Sequence, residues 1–429
     1  MKTALRIAMI SEHASPLAAA GGVDAGGQNI YVDHMARCLA EAGHHVDVLT
    51  RRDSRDLAPV VDMRSGARVI HIPAGPARFV PKEQLLQHMA AFARMTSGLV
   101  ARSVPYDLVH ANFFMSGIVA RRLKAEWAIP YAVTFHALGL VRREHQGDAD
   151  GFPAERAAIE RSLVQGADRV IAECPQDQDD LVRLYGGDPA RMPIVPCGFD
   201  PAEFRPMNRL RARAELGLDP SEFIVLQLGR LVPRKGIDNV ILALAQLPAH
   251  VRARLVVVGG ETREPDEART PEIARLRRVA ADAGVGQRVL FIGQRRRAEL
   301  RRCYAAADAF VTTPWYEPFG ITPLEAMGCG IPVVGSAVGG IQYTVTDGVT
   351  GFLVPPRDPA ALAMRLAELH GNPALAAALG RAGIRRARSM FTWKEVARQL
   401  ECVFEDICAD RRPAQAIPSA GAVMSAATP

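Results

Sequence analysis

Two glutamates eight positions apart, Glu317 and Glu325, stand in the segment PWYEPFGITPLEAMGCG, residues 314–330. The apolar run AFVTT before it and the helical spacing after Gly320 predict a strand, a loop and a helix opening at 320–322. A helix N-terminus carries free backbone N–H groups and a partial positive charge, which suits a diphosphate. Gly320 lets such a ligand approach the backbone closely. Glu317 falls just before the helix end, and Glu325, about one turn inside, leans back toward it. A phosphate between two carboxylates fits a nucleotide sugar, with one acid for sugar hydroxyls and one for ribose hydroxyls. On spacing alone, Glu325 can equally be a salt-bridged helix residue and Glu317 a loop acid.

A second constellation, GRLVPRKG at 229–236, follows an apolar strand. Ligands of open α/β sheets bind at such strand ends. Arg230 and Lys235 there can clamp a diphosphate and neutralise charge as it leaves. Lys235 is the only lysine between Lys124 and Lys394, although arginine is plentiful. A glycine-rich loop, Gly21, Gly22, Asp24, Gly26 and Gly27 followed by Gln28 and Asn29, enters a helix and offers another anion cradle. Taken alone it is equally a surface turn. His136, in VTFHALG, ends a buried strand, where side chains face the cleft. Arg142 and Arg143 follow, placed for an acceptor phosphate or for solvent. Asp148 and Asp150 have the spacing of a metal-binding D-x-D, within a polar loop.

The elements that must position these residues alternate between strand and helix. Strands are expected at 6–11, 45–50, 69–72, 107–110, 131–135 and 169–173. Helices are expected at 27–42, 85–102, after Ser116, and around 153–165. The pattern restarts with strands at 223–228, 254–258, 289–292, 309–312 and 332–335, and helices at 237–247 and 271–283. Alternation of this kind predicts α/β architecture with parallel, doubly wound sheets, and its repetition predicts two Rossmann-like domains facing each other. The boundary is expected near the proline-rich stretch 196–206. An N-terminal domain over 1–200, completed by a C-terminal helix at 390–409, would face a donor domain over 201–389. Residues 410–429 are small, proline-containing and aperiodic, and predict a disordered tail.

Bulk properties narrow the setting. A length of 429 residues is too great for one core and right for two domains. No apolar run is long enough for a bilayer span. The N-terminus reads as a buried strand and not as a signal peptide. Seven cysteines lack metal or disulfide spacing and read as small buried hydrophobes in a reducing cytoplasm. The net charge of +6 suits anionic small molecules or loose contact with anionic lipid. The cluster Arg295, Arg296, Arg297, Arg301 and Arg302 is read as a solvated helix face, and no nucleic-acid site is expected.

The E-x7-E of EPFGITPLEAM resembles the signature of retaining glycosyltransferases of the GT-B fold, and in particular family 4, over about residues 5–405. That family includes sucrose synthase, sucrose-phosphate synthase and the mycothiol-pathway N-acetylglucosaminyltransferase. The R-x4-K pair at Arg230 and Lys235, the G-G-Q loop ending at Gln28, and the H-S-L-G-like segment at His136 occur in the family's order. The resemblance implies that Glu317 binds sugar hydroxyls, that Glu325 binds the ribose, and that Phe319, Gly320, Ile321 and Thr322 complete the donor site. It implies that Gly26 and Gly27 approach the diphosphate across the cleft. It also implies that His136 lies against the reacting sugar, with His136, Glu317, Arg230 and Lys235 forming the catalytic group. On the acceptor side the expected residues are His13, Gln28, Asn112 and Arg143. The departing phosphate would take the acceptor's proton in a same-face attack, and no metal or other cofactor is expected. A nucleotide-sugar 2-epimerase and a non-catalytic nucleotide-sugar-binding protein are the alternatives. The H-A-L-G segment leans toward the sucrose-phosphate synthase side. An acceptor-phosphate tyrosine and threonine of the mycothiol-type enzymes fall at Phe113 and Ala137, where both hydroxyls are missing.

Overall fold

The computed structural model describes residues 4–18, 26–102 and 104–410, apart from the side chains of residues 148 and 149. Gly21, Gly22 and Asp24 of the glycine-rich loop and the tail from 411 onward lie outside the described residues.

The first sheet contains β1 (Arg6–Ile10), β2 (His45–Arg51), β3 (Val60–Asp62), β4 (Arg68–Ile72), β5 (Leu108–Asn112), β6 (Tyr131–Thr134) and β7 (Arg169–Ile171). Its order is β3-β4-β2-β1-β5-β6-β7. Every pairing is parallel except β3 with β4. The second sheet holds β8 (Phe223–Leu228), β9 (Ala253–Val258), β10 (Val289–Gly293), β11 (Ala309–Thr312), β12 (Val333–Ser336) and β13 (Gly351–Val354). It is wholly parallel in the order β10-β9-β8-β11-β12-β13. Strands covered on both faces are largely apolar, and FIVLQL of β8 and AFVT of β11 are buried at every position, with Gln227 and Thr312 their only polar members.

Around the first sheet run α1 (Gly27–Glu41), α2 (Met89–Val100), α3 (Phe114–Trp127), α4 (Gly139–Gln146), α5 (Arg156–Gly166) and α6 (Pro175–Tyr185). Around the second run α7 (Arg209–Leu216), α8 (Ile237–Ala245), α9 (Pro271–Asp282), α10 (Arg297–Ala306), α11 (Ile321–Gly328), α12 (Gly339–Thr344), α13 (Pro359–Gly371) and α14 (Pro373–Met390). Apart from the antiparallel edge strand β3, the strand order reverses once in each sheet, between β1 and β5 and between β8 and β11. The carboxyl ends of strands at such a reversal form a crevice. Here they carry His13 and Asn112 on one side, and Gly229, Arg230 and the loop to Gly320 on the other.

The chain crosses between the domains twice, side by side. Phe199 N–H donates to Phe391 O at 2.8 Å, and Trp393 N–H donates to Phe199 O at 3.2 Å. After the second crossing, α15 (Trp393–Asp410) packs on α1 of the first domain. Trp393 stacks on His34 at 4.9 Å, and His44 Nε2 meets Glu401 Oε1 at 3.0 Å. Among the described residues, no helix is long and apolar enough to cross a membrane.

Candidate active site

One large cleft opens between the two reversal points. Its first-domain wall includes His13, Gly26, Gly27, Gln28, Lys82, Phe113, His136, Arg142 and Phe152. Its second-domain wall includes Arg230, Arg234, Lys235, Arg297, Glu317 and the stretch from Phe319 to Thr322, with Glu325 behind. Two helices aim their N-termini at this space. Gly320 caps α11 at φ 89°, a left-handed conformation that favours glycine, and Gly26 caps α1. A side chain on Gly27 would come to 3.5 Å from Ile321 Cδ1, so the two helix ends approach across the cleft.

The second-domain wall is an ionic cluster. Lys235, in the 3-10 turn Pro233–Lys235, donates to Glu317 Oε2, and Arg234 Nη1 lies 4.0 Å from the same oxygen. Burial pushes the Lys235 ammonium down to about 8, against the attraction of Glu317, and the Arg234 and Arg230 cations push the same way. Burial also raises the Glu317 carboxyl, but Lys235, Arg234 and Arg230 outweigh it and hold Glu317 below the usual carboxylate range. The donor wall therefore holds more fixed positive than negative charge beside a helix N-terminus, an arrangement built for an anion. Gly339, at the start of α12, packs so closely on Glu317 O that any side chain there would collide with the backbone carrying this acid.

Glu325 is only 2% exposed. Its Oε1 accepts from Arg297 Nη1 at 3.1 Å and its Oε2 from the Tyr304 hydroxyl at 2.8 Å. Burial raises its carboxyl despite the opposing Arg297 charge. Arg297 also reaches Glu203, at 2.5 Å. It is thus no solvated helix residue, which corrects the reading of the arginine cluster in its most important member. A carboxylate oxygen accepts more than one hydrogen bond, so Glu325 retains capacity toward a ligand.

His136 adopts φ 57°, unusual for a residue with a side chain. Its Nδ1 meets Glu173 Oε1 at 2.9 Å and its Nε2 meets Asn112 Oδ1 at 3.0 Å. Glu173 also accepts from Cys197 Sγ at 3.0 Å. Burial works against the Glu173 charge, and His136 outweighs it, so the carboxyl lies below its ordinary value. Both ring nitrogens are thereby committed to protein groups. His136 lines the cleft as a ring fixed from behind, in strained backbone of the kind found at functional sites.

Two acceptor-side expectations need correction. Asn112 is fully buried in β5, where it orients His136 and donates to Ile10 O at 3.3 Å, and it does not line the cleft. Arg143 is outside the cleft, while Arg142 lines it. Adjacent residues on a helix point about 100° apart, and the short α4 turns Arg142 inward. Arg142 Nε donates to Asp150 Oδ1 at 2.5 Å, so half of the supposed D-x-D is taken up by an arginine. His13 and Gln28 do face the cleft. His13 Nδ1 meets Glu12 Oε1 at 2.7 Å, and Gln28 Nε2 donates to Ser11 Oγ at 3.3 Å. Lys82, Arg234, Arg297 and Phe152 also line the cleft, and nothing in the sequence singles them out for the site. None of the seven cysteines forms a disulfide, but Cys402 is exposed and does not fit the reading of a buried hydrophobe.

A cation cluster and two helix ends facing each other across a pair of doubly wound domains is the construction of a GT-B glycosyltransferase. Comparison with known proteins agrees. Residues 26–198 match the glycosyl transferase 4-like domain, and residues 208–386 match the glycosyl transferases group 1 family. The D-inositol 3-phosphate glycosyltransferase of Acidothermus cellulolyticus is 38% identical over 420 residues, 96% of this chain and 92% of that protein. D-inositol 3-phosphate glycosyltransferase 1 of Catenulispora acidiphila is 39% identical over 93% of this chain and 95% of its own. The solved sucrose-phosphate synthase of Thermosynechococcus elongatus is 35% identical, with a TM-score of 0.86 covering 95% of this chain and 100% of that one. The chain belongs to the group 1 glycosyltransferases, and within them it is a retaining enzyme of the GT-B fold that uses a nucleotide-sugar donor. The 2-epimerase alternative finds no support.

Proposed function

We propose that this enzyme transfers the sugar of a nucleoside-diphosphate sugar to a hydroxyl of a small phosphorylated polyol or sugar, without a metal ion, in the cytoplasm. The observation that carries this reading is the distribution of fixed charge in the cleft. Arg230, Arg234 and Lys235 stand with the α11 N-terminus on the donor wall, and Lys82 and Arg142 stand on the opposite wall. A diphosphate matches the donor-wall cations, and on the opposite wall Lys82 with Arg142, the latter shared with Asp150, offers N–H donors to a second anion on the acceptor.

In this reading the diphosphate lies against Arg230, Lys235 and the backbone N–H groups of Gly320, Ile321 and Thr322, with Gly26 and Gly27 closing from the other domain. Glu317 holds sugar hydroxyls, Glu325 holds the ribose, and His136 lies against the sugar. As the glycosidic bond to phosphate lengthens, the fixed cations stabilise the charge growing on the leaving group. The departing phosphate accepts the acceptor's proton on the same face, so no protein nucleophile is used. The acceptor sits near His13 and Gln28, and its phosphate meets Lys82 and Arg142. The relatives' names support a phosphorylated acceptor or product: one is named for inositol 3-phosphate and the other for sucrose phosphate. The residues Phe113 and Ala137 on this wall carry no hydroxyl, which makes the two lining cations the phosphate contacts of choice. Cysteines that form no disulfide with one another support a reducing compartment.

Uridine, adenosine and guanosine diphosphates, tested singly, are expected to include at least one that raises the melting temperature by mass action. Calorimetry at millimolar concentration checks this, and the absence of binding by all three sinks the donor-site assignment. Activity is expected to survive EDTA, because protein cations already face the leaving group. With an α-linked donor the product is expected to be α-linked. Proton NMR of the anomeric signal, on product made in EDTA, reads both outcomes. Activity lost in EDTA and restored by magnesium or manganese would show that a metal carries the charge assigned here to Arg230 and Lys235.

A further inference from the structure

The residue before Glu317 is held by both domains. Tyr316 is 6% exposed and belongs to the loop from β11 to α11. Its ring stacks on His145 of α4, centroids 4.8 Å apart and planes 16° from parallel. Its hydroxyl receives a hydrogen bond from Gln146, the next residue of that helix. From its own domain, the guanidinium of Arg234 lies 5.1 Å from the ring centroid. Arg234 Nη1 is buried, has no hydrogen-bond partner, and stands 4.0 Å from Glu317 Oε2. Tyr316 therefore touches the acceptor-domain helix on one hand and the donor-binding cations on the other.

The chain crossings at Phe199 and Phe391 tie the domains covalently, but this clasp is noncovalent and made by exposed or half-exposed residues of α4. A cavity of about 300 Å³ adjoins it, between α4, α6 and the Trp315–Pro318 loop, so the domains are not packed solidly there. The same short helix sends Arg142 into the cleft. Any swing of one domain away from the other parts His145 and Gln146 from Tyr316 and removes the outer support of the Arg234–Glu317 pair.

We propose that Tyr316 is a positioning residue, held by His145 and Gln146 of the acceptor domain, which sets Arg234 and Glu317 on the donor only when the cleft is closed. This rests on the donor site proposed above. It makes the grip on the nucleotide depend on a helix of the other domain that does not touch the nucleotide. The acceptor's contact with Arg142 on α4 is thereby felt at the donor through Tyr316, beside the Cys174 Sγ hydrogen bond to Pro318 O at 3.5 Å.

His145 is exposed and outside the binding machinery, so replacing it leaves folding intact. Calorimetry with uridine, adenosine and guanosine diphosphates is compared for the full-length wild type, His145→Ala and His145→Phe. His145→Ala is expected to weaken the diphosphate that the wild type binds by about two- to tenfold, the worth of one aromatic pair. His145→Phe keeps a stacked ring and is expected to restore it. Small-angle scattering should show wild type and His145→Phe compacting on binding, and His145→Ala compacting less. Unchanged affinity in His145→Ala overturns the proposal while leaving the donor site standing, as does a His145→Phe variant no better than alanine. A wild type that binds no diphosphate overturns the donor site and this proposal together.

Discussion

Replacement of Lys235 by alanine is expected to lower kcat/KM by about 100- to 1,000-fold, the usual cost of removing a fixed charge that faces a developing anion. Lys235 is the natural candidate because it is half-buried with Glu317 and Arg234 at the donor wall. Its charge is also conditional. Burial, helped by Arg234 and Arg230, brings the free enzyme's ammonium down to about 8, even with Glu317 beside it. At pH 7 Lys235 is charged and contributes to binding. As pH rises above 8 the free enzyme loses this proton, and diphosphate affinity is expected to fall, at most tenfold per pH unit. The same titration should be flat over that interval in Lys235→Ala. Lys235→Arg, charged throughout, should also be flat. Calorimetric titrations of the bound diphosphate from pH 6.5 to 10 decide this. A wild-type affinity independent of pH, together with an unchanged affinity in Lys235→Ala, would show that Lys235 is not a diphosphate contact.

Glu317→Gln is expected to separate two properties that Lys235→Ala lowers together. The carboxylate partly cancels the charge of Lys235 and Arg234 in the free enzyme. Glutamine keeps the shape and a hydrogen-bonding oxygen but removes the negative charge. Turnover should fall about 100- to 1,000-fold, because a fixed contact to the reacting sugar is weakened where positive charge builds. Affinity for the free diphosphate should hold or tighten, because the cations are no longer shared with Glu317. Steady-state kinetics beside product-inhibition constants measure the two quantities. Parallel loss in both would place Glu317 against the nucleotide and not the sugar.

The cleft is largely legible in the sequence for one reason: the strands beside it are apolar on both faces. FIVLQL and AFVT announce β8 and β11, and the residues directly after each strand must emerge at the crevice, which is how Arg230 and Glu317 declare themselves. Elements without an apolar signature give no such signal. The edge strand β3 has three residues, none buried. The helix α4, GLVRREHQ, buries only Gly139, so nothing in its pattern fixes its phase. Without that phase Arg142 and Arg143 cannot be told apart. Arg297 escapes a sequence reading for a different reason. Its partners Glu203 and Glu325 are 94 and 28 residues away, and only the tertiary fold brings two carboxylates to one guanidinium. Asn112 lies at the end of β5, where strand ends usually face ligand, yet His136 Nε2 claims its side-chain oxygen.

The return of α15 to the first domain has a consequence for how the polypeptide is made. Trp393 stacks on His34, Phe404 lies 5.5 Å from His110, and Glu401 satisfies the buried His44. These partners belong to a domain whose last strand, β7, leaves the ribosome long before Trp393 is added. At about 5–20 residues per second, the intervening stretch takes roughly 10–40 s to synthesise. For that time the α1 face stays bare and His44 lacks its carboxylate, while the second domain is translated in full. The later half thus gains its complete set of strands before the earlier half receives its final helix. A stop codon between Phe391 and Trp393 would leave the donor domain whole and strand the acceptor domain at that unfinished stage.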